Sequence, residues 1–448
     1  MPTNTLTDAV NYYNDLLANK HFASTQEILL KTNEEKISAI YVQDICQVMR
    51  PYFIERKQYE AVKKAAELVT KGIAQLTKLL VADANLRKEL ELSQLEESVL
   101  EVGLKIESPN IMSRFDGFLE SNRISFIECN IGRLSGYGIN IVLCELFNSM
   151  PIMQEFCKHY QLEASQFNDT FFDSMLTTYH KWGGKGLPNI AIIWEKGELT
   201  NDFYQFQLLE KKGYKVKVVQ PKELEFRNGK LFTSDFQVDL IYVHMQWWDW
   251  FTKLGFKHPI IKAVNQNAVC PFYWFRTMMF SRKTFFELLS NEKYAHLFEP
   301  EVAQALTKYI PWTRKIRESK TIYQGKPIDL LPFIADHRQD FVLKPGFGHG
   351  GKGVIIGKDV DDNIWAETLK TALTNPYIVQ EYIAAPKDTY PRLTNNNELS
   401  FDEYLVDFNP YVWNLEKAEG FMARLSKDSI INISSGKACF AAGFVIDI

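Results

Sequence analysis

Two clusters of residues in this chain have types and spacings that could do chemistry. The first runs from Phe341 to Val354, FVLKPGFGHGGKGV, where an apolar run stops at Lys344-Pro345 and Gly346, Gly348, Gly350 and Gly351 follow. Lys352, Gly353 and a second apolar run, Val354-Ile355-Ile356, complete it. Glycine tolerates positive φ, so successive backbone N–H groups in such a loop can turn towards one anion. Lys344 at the base and Lys352 at the tip add positive charge, which suits a polyphosphate. Neither GxxxxGK[ST] nor a helix directly after the glycines is present, so this is neither a Walker loop nor a dinucleotide fingerprint. Strand, glycine loop and strand make a lid-like hairpin. A surface hairpin that happens to be rich in glycine would show the same glycines.

The second cluster is Arg114-Phe-Asp116, eleven residues, then Glu128-Cys-Asn130. Side chains of a strand repeat every two residues, so Arg114 shares a face with Asp116, and Glu128 with Asn130. SNR between FDGFLE and ISFIECN reads as a hairpin turn that brings the two faces together. Two carboxylates, an amide oxygen and a guanidinium would then stand within a few ångströms, an oxygen-donor set that suits Mg²⁺. Salt bridges on an exposed sheet face are the alternative. Phe126, Ile127 and Cys129 argue against it, because they embed Glu128 in a core strand where an unpaired carboxylate is costly.

Weaker signals follow. Tyr377-Ile-Val379-Gln380-Glu381-Tyr382-Ile383 is a buried-type strand whose backbone at Gln380, Glu381, Tyr382 and Ile383 could read an adenine edge, although many strands end in a charged pair. Arg424 lies in the apolar strand Met422-Ala-Arg424-Leu, ahead of Asn432-Ile-Ser-Ser-Gly436, and arginine is rare there without an anionic partner. His349 in the glycine loop could touch a phosphate or simply add polarity. His180, His244 and His258 lack metal-ligand spacing and read as structural. Trp247, Trp248 and Trp250 could line a substrate pocket, but filling the core is the simpler reading.

The elements that position these residues follow from periodicity. Residues 1–105 read as helical, with Tyr59, Val62, Ala66, Val69, Ile73 and Leu76 forming one packing stripe. Residues 106–165 hold the R-x-D and E-x-N strands. Residues 166–270 alternate as NIAIIWE strand, NDFYQFQLLEKKG helix, YKVKVVQ strand and VDLIYVHM strand, a parallel sheet of Rossmann type with a hairpin at Asn228-Gly229. Residues 271–448 carry a helix with Lys283 (RKTFFELLSN), the glycine hairpin, the NPYIVQEYI strand and closing strands. AAPKDTYPRLTNNNELS reads as a loop that is mobile without substrate.

Composition sets bounds. Of 448 residues, 46% are apolar and 24% charged, which describes a globular chain with room for two or three domains. A net charge of -4 without a basic run argues against nucleic acid. Six cysteines without CxxC spacing imply reduced thiols, and no apolar run approaches membrane-spanning length, so a cytoplasmic location and no membrane partner are expected.

In order and spacing, these segments resemble the ATP-grasp superfamily in its circularly permuted form, related to glutathionylspermidine synthetase. The resemblance covers nearly everything after about residue 106, and it implies an α/β (α+β) ATP-grasp fold with a Rossmann-like pre-ATP-grasp domain and a helical N-terminal region. R-x-D…E-x-N stands before the glycine loop, as a permutation requires. VDLIYVH resembles the family's DLIY-x-R strand with His244 in place of the arginine, and HPIIKAVNQNAVCPFYWFRTMMFSRKTFFELL resembles the segment whose first nucleotide lysine falls on Lys283. PWTR, VLKP…GGKGV, VQEYI and ARLS…INISSG match in order.

The resemblance implies ATP-dependent ligation of a small-molecule or peptide carboxylate to an amine through an acyl phosphate, with ATP and Mg²⁺ required. Lys283 and Lys344 would hold the α and β phosphates, and the hairpin with Gly348, Gly350, Gly351 and Gly353 would close over the triphosphate. Asp116, Glu128 and Asn130 would bind Mg²⁺. Arg114 and Arg424 would stabilise charge on the transferring phosphoryl group and the acyl oxygen. A nucleotide-binding sensor or partner-binding protein without turnover is the competing reading.

Overall fold

The computed structural model describes residues 5–34, 46–103, 112–131, 136–165, 168–195, 208–245, 247–275, 277, 282–348, 350–433 and 436–448. The expectation for His349, most of the NDFYQFQ helix and Ser434-Ser435 fall outside them.

Helix α1, Arg56–Ala82, spans 27 residues. Its apolar stripe Tyr59, Val62, Ala66, Val69, Ile73 and Leu76 is at most 5% exposed, as packing demands of residues three and four apart. The region is not helical throughout. Tyr52–Glu55 is a strand, parallel to Gly443–Asp447, which also pairs antiparallel with Gln161–Ala164. Four residues carry too little period to announce a strand, and this one's partner lies at the far end of the chain.

Strands β1 (Ser113–Glu120) and β2 (Arg123–Ile131) form the expected antiparallel hairpin, with Arg114 opposite Asn130 and Asp116 opposite Glu128. The register shifts after Asp116, so that Gly117 pairs with Phe126 and Ile127 is the extra residue of a bulge. Phe115, Phe126 and Cys129 fill the core on one face, which commits Asp116 and Glu128 to the other. Helix α2, Tyr137–Ser149, follows.

Strands β3 (Asn189–Ile193), β4 (Lys215–Val219), β5 (Leu240–Val243) and β6 (Cys270–Pro271) make a fully parallel sheet in the order β6-β5-β3-β4. Ile190–Ile193 and Leu240–Val243 have no exposure, the continuous burial that helices on both faces of a parallel sheet impose. Leu224–Arg227 and Lys230–Thr233 pair around Asn228 and Gly229, both at positive φ. Helix α3, Trp247–Lys253, leaves the carboxyl end of β5.

Helix α4 is Phe285–Ser290, so Lys283 precedes the helix rather than riding on it. Its backbone N–H is instead tied to the carbonyl of Gly346 at 2.9 Å. Beyond lie β7 (Thr313–Lys315), β8 (Phe341–Pro345), β9 (Ile355–Ile356) and β10 (Tyr377–Glu381), an antiparallel sheet ordered β7-β10-β8-β9. The glycine loop connects β8 to β9.

The segment expected as a loop at 384–400 is a second departure. Lys387–Leu393 forms β11, in register along its whole length with β12, Leu399–Trp413. Pro386 and Pro391 and the polar composition made it read as a loop; at the end of a sheet those residues are tolerated because one side needs no ladder bonds. Strand β13 (Lys417–Ser426) and β14 (Ala438–Ala441) complete a six-stranded antiparallel sheet, ordered β14-β13-β12-β1-β2 with β11 on β12. Residues 427–433, expected within the closing strands, form no strand. The fold is a mixed α/β assembly of several sheets, and no described helix is long and apolar enough to cross a membrane.

Candidate functional site

The sheet β7-β10-β8-β9, the six-stranded sheet and the carboxyl ends of β5 and β6 line a cavity of about 820 Å³. Arg114, Asp116, Glu128, Asn130, Lys283, Lys344, Gly348, Gly350, Gly351, Gln380, Glu381, Tyr382, Ile383 and Arg424 all line it. Gly353 does not. At φ +74°, with Pro345 Cγ only 2.8 Å from where a Cβ would sit, it closes the loop instead. His244 stands outside the lining, its ring 4.2 Å from that of Trp194. His180 bonds to the Gly186 carbonyl and His258 caps a helix at Ile260.

The hairpin β1–β2 and the lysines meet directly. Lys283 Nζ donates to Glu128 Oε1 at 3.0 Å and to the Gly348 carbonyl at 3.0 Å. Lys344 Nζ donates to Gln380 Oε1 at 2.6 Å and to the carbonyl of Ile127 at 3.1 Å, the bulge residue whose backbone the register shift turns outward. Gln380 Nε2 in turn donates to Thr313 Oγ1, so its amide is oriented by both strands beside it. Burial lowers the pKa of Lys344 to about 8, with Glu128 opposing the shift and Lys283 adding to it. Burial pushes the Glu128 carboxyl up, and so does Asp116, but Lys283 and Lys344 together hold it below the ordinary value.

Across the six-stranded sheet runs a ladder of alternating charge. Arg114 grips Asp116 through Nε at 2.7 Å and Nη2 at 3.1 Å. Arg424 reaches the same carboxylate through Nη2 at 2.9 Å and binds Asp407 through Nε at 2.9 Å. Asn409 Nδ2 holds Asp407 at 2.6 Å. Burial acts to raise the Asp116 pKa, yet Arg114 and Arg424 keep it at about 2. For Asp407, burial wins and the pKa rises. Asp407 and Asn409 line up with Arg424 because β12 and β13 pair Asp407 with Arg424. The signal for them in the sequence is that Asp407-Phe-Asn409 repeats the acid-x-Asn spacing of Glu128-Cys-Asn130 inside an apolar run.

Glu128 and Asn130 fit a divalent cation. Asn130 Nδ2 is buried without a hydrogen-bond partner, and a half-turn of the amide presents its oxygen at the same place. Asp116 accepts one hydrogen bond on Oδ1 and two on Oδ2, all from arginines, which leaves a single acceptor site on Oδ1 for a cation. Among the described residues no three His, Cys, Asp or Glu side chains are grouped for a metal, so such an ion would need Asn130 and substrate oxygens as ligands.

The glycine loop is fastened on both sides. Asn432 Nδ2 donates to the Gly350 carbonyl at 2.7 Å, and a Cβ at Gly351 would stand 2.6 Å from Ile430. The Phe347 ring packs edge-on to Trp248 of α3 at 5.3 Å, with the Arg282 guanidinium 5.7 Å away on the other side. Trp250 is core and Trp248 lines the cavity, one in each of the two roles the sequence allowed, while the Trp247 side chain lies outside what the structure describes.

No family model matches the sequence, and no curated protein matches it significantly. Among solved structures, a glutathione synthetase-like effector of Globodera pallida, in its apo form, superposes with a TM-score of 0.59 at 12% identity, covering 95% of this chain and 94% of that one. A candidate gamma-glutamylcysteine synthetase of Methylobacillus flagellatus gives a TM-score of 0.41 at 10% identity, covering 83% and 87%. The first likeness extends over nearly the whole chain and is a likeness of fold.

Proposed function

We propose that the chain is an ATP-dependent carboxylate–amine ligase of the circularly permuted ATP-grasp type. One observation carries the reading: the Glu128 carboxylate, Lys283, Lys344 and the glycine loop, from segments spread over more than two hundred positions, converge on one cavity. Eight lysine and arginine side chains against five carboxylates line that cavity, in a chain whose net charge is -4. A surplus of cations in a largely enclosed space suits a polyanion.

In this reading Lys283 and Lys344 bind phosphate oxygens, Lys283 exchanging its contact with Glu128 for one with the nucleotide. Gln380 orients Lys344, and the backbone from Glu381 to Ile383 faces the base. Glu128 and Asn130, with Asp116 behind them, would hold Mg²⁺, which when bound would supply charge neutralisation at the phosphates. A carboxylate oxygen of the acid attacks the γ-phosphorus and the bond to the β-phosphate oxygen breaks, leaving an acyl phosphate and ADP. The amine nitrogen then attacks the acyl carbon, phosphate departs with the bonding electrons, and the amine proton goes to phosphate or solvent. Arg424, locked by Asp116 and Asp407, stabilises charge as it moves to the acyl and phosphoryl oxygens. The loop, clasped by Trp248 and Asn432, keeps water from the acyl phosphate.

The test is ADP and phosphate release over a panel of acids and amines, with Asp116→Ala and Glu128→Ala as controls. The ligase reading requires acid-dependent ADP release that both variants lose. The competing reading, nucleotide binding without turnover, draws on the three hydrogen bonds that tie Asp116 to arginines rather than leaving it open to a metal. Mg·ATP binding with no turnover on any pair would favour it.

A further inference from the structure

The ligase reading leaves the acid unnamed, and the part of the cavity around Arg424, on the six-stranded sheet, narrows the choice. Arg424 spends Nε and Nη2 on Asp407 and Asp116, but its Nη1 group makes no hydrogen bond among the described residues while the side chain lines the cavity. A charged donor held rigidly by two carboxylates, with one fork of its guanidinium unspent, is a carboxylate receptor already oriented.

Beside the charged ladder that holds it, this donor has apolar neighbours. Met422 is two residues back on β13 and so shares its face, and Phe440 of β14 is its direct cross-strand partner. Both line the cavity, as does Ile139 of α2. Gly136, at φ +93°, forms the floor: a Cβ there would stand 2.8 Å from Met422 Sδ and 3.3 Å from Phe440. Met245 and Phe275, just beyond the carboxyl ends of β5 and β6, line the cavity as well. Ligands of parallel-sheet proteins gather at such carboxyl ends. None of these five side chains offers a strong donor or acceptor to a polar group, and burying one unpaired there is unfavourable.

Resting on the ligase reading, we infer that the acid this enzyme activates carries an aromatic or branched aliphatic group next to its carboxylate. The carboxylate sits on Arg424 Nη1, turned towards the phosphates. The apolar group lies among Met422, Phe440, Met245 and Phe275, above Gly136. A second charged group on the acid finds no partner among the five apolar side chains.

Hydroxylamine makes the test independent of the natural amine. It attacks the acyl carbon, releases phosphate and yields a hydroxamate, which forms a coloured iron complex. The full-length protein, Mg·ATP and hydroxylamine are incubated with matched acids: L-leucine against L-asparagine, and 3-phenylpropionate against succinate. The expected result is a kcat/KM for the apolar member of each pair at least about tenfold above its polar counterpart, the scale on which an apolar pocket discriminates. Phe440→Leu, which keeps the site apolar and enlarges it, should shift the preference from L-leucine towards 3-phenylpropionate by about tenfold, with a retained Mg·ATP thermal shift showing that the variant is folded. Hydroxamate made preferentially from asparagine or succinate overturns the substrate class and leaves the ligase reading standing. Mg·ATP binding without hydroxamate from any acid overturns both.

Discussion

Lys344 offers the sharpest quantitative test, because its geometry fixes both a stability effect and a binding effect. The side chain is 6% exposed and its pKa falls from 10.5 to about 8. Keeping its charge at neutral pH therefore costs the fold about 3 kcal/mol. Lys344→Met removes that cost but strands two buried acceptors, the Ile127 carbonyl and Gln380 Oε1, at about 1–3 kcal/mol each. The net change at pH 7 is expected between about +1 and -3 kcal/mol, which is modest for the loss of a buried charge. The pH dependence is sharper. Below pH 8 both folded and unfolded chains hold the proton; above it the folded chain releases it first, and the unfolded chain releases it only near 10.4. Between those values the unfolded state binds more protons, so this group makes wild-type stability rise with pH. The wild type should gain about 3 kcal/mol on the variant across that window, measured by urea unfolding at half-unit pH steps. The variant should also bind Mg·ATP about tenfold to a hundredfold more weakly, the worth of a charged hydrogen bond to phosphate. Parallel stability curves for the two proteins, or equal nucleotide affinity, would refute the reasoning.

Three further outcomes follow from the same geometry. Nucleotide binding at pH 8 should take up as much as about half a proton, because phosphate stabilises charged Lys344, and calorimetry in buffers of different ionisation enthalpy reads this directly. Glu128→Gln keeps a partner for Lys283 but loses the cation ligand, so turnover should fall on the order of 10²–10³-fold, about 3–4 kcal/mol, with ATP affinity in the absence of magnesium little changed; a loss of ATP binding alone would assign Glu128 to the nucleotide instead. Amides of Lys387–Leu393 that pair with β12 should resist hydrogen exchange in the nucleotide-free protein, and exchange as fast as in a peptide would contradict the ladder.

The parts of the site that the sequence announced are those governed by local rules. The two-residue period put Arg114 with Asp116 and Glu128 with Asn130, and the turn between the strands made them neighbours. Glycines at positive φ marked the loop. What stayed hidden depends on contacts that only the fold supplies. The bulge that aims the Ile127 carbonyl at Lys344 has no signature in an apolar run. The clasp between Phe347 and Trp248 joins residues whose aromatic type fits a core equally well. Asp407 and Asn409 carried a visible clue, polar residues at strand spacing inside FDEYLVDFNPYVW, but their meaning came only with Arg424 as the partner. Strand β11 went unseen because its prolines obey a rule for central strands that sheet ends escape.

The most direct test is a crystal structure with magnesium and an ATP analogue whose β–γ bridge resists hydrolysis. The account predicts the triphosphate beneath the loop Gly346–Gly353, within hydrogen-bond distance of Lys283 and Lys344, with the metal on Glu128 and Asn130. A nucleotide bound elsewhere, or a triphosphate whose metal touches neither Glu128 nor Asn130, would contradict it.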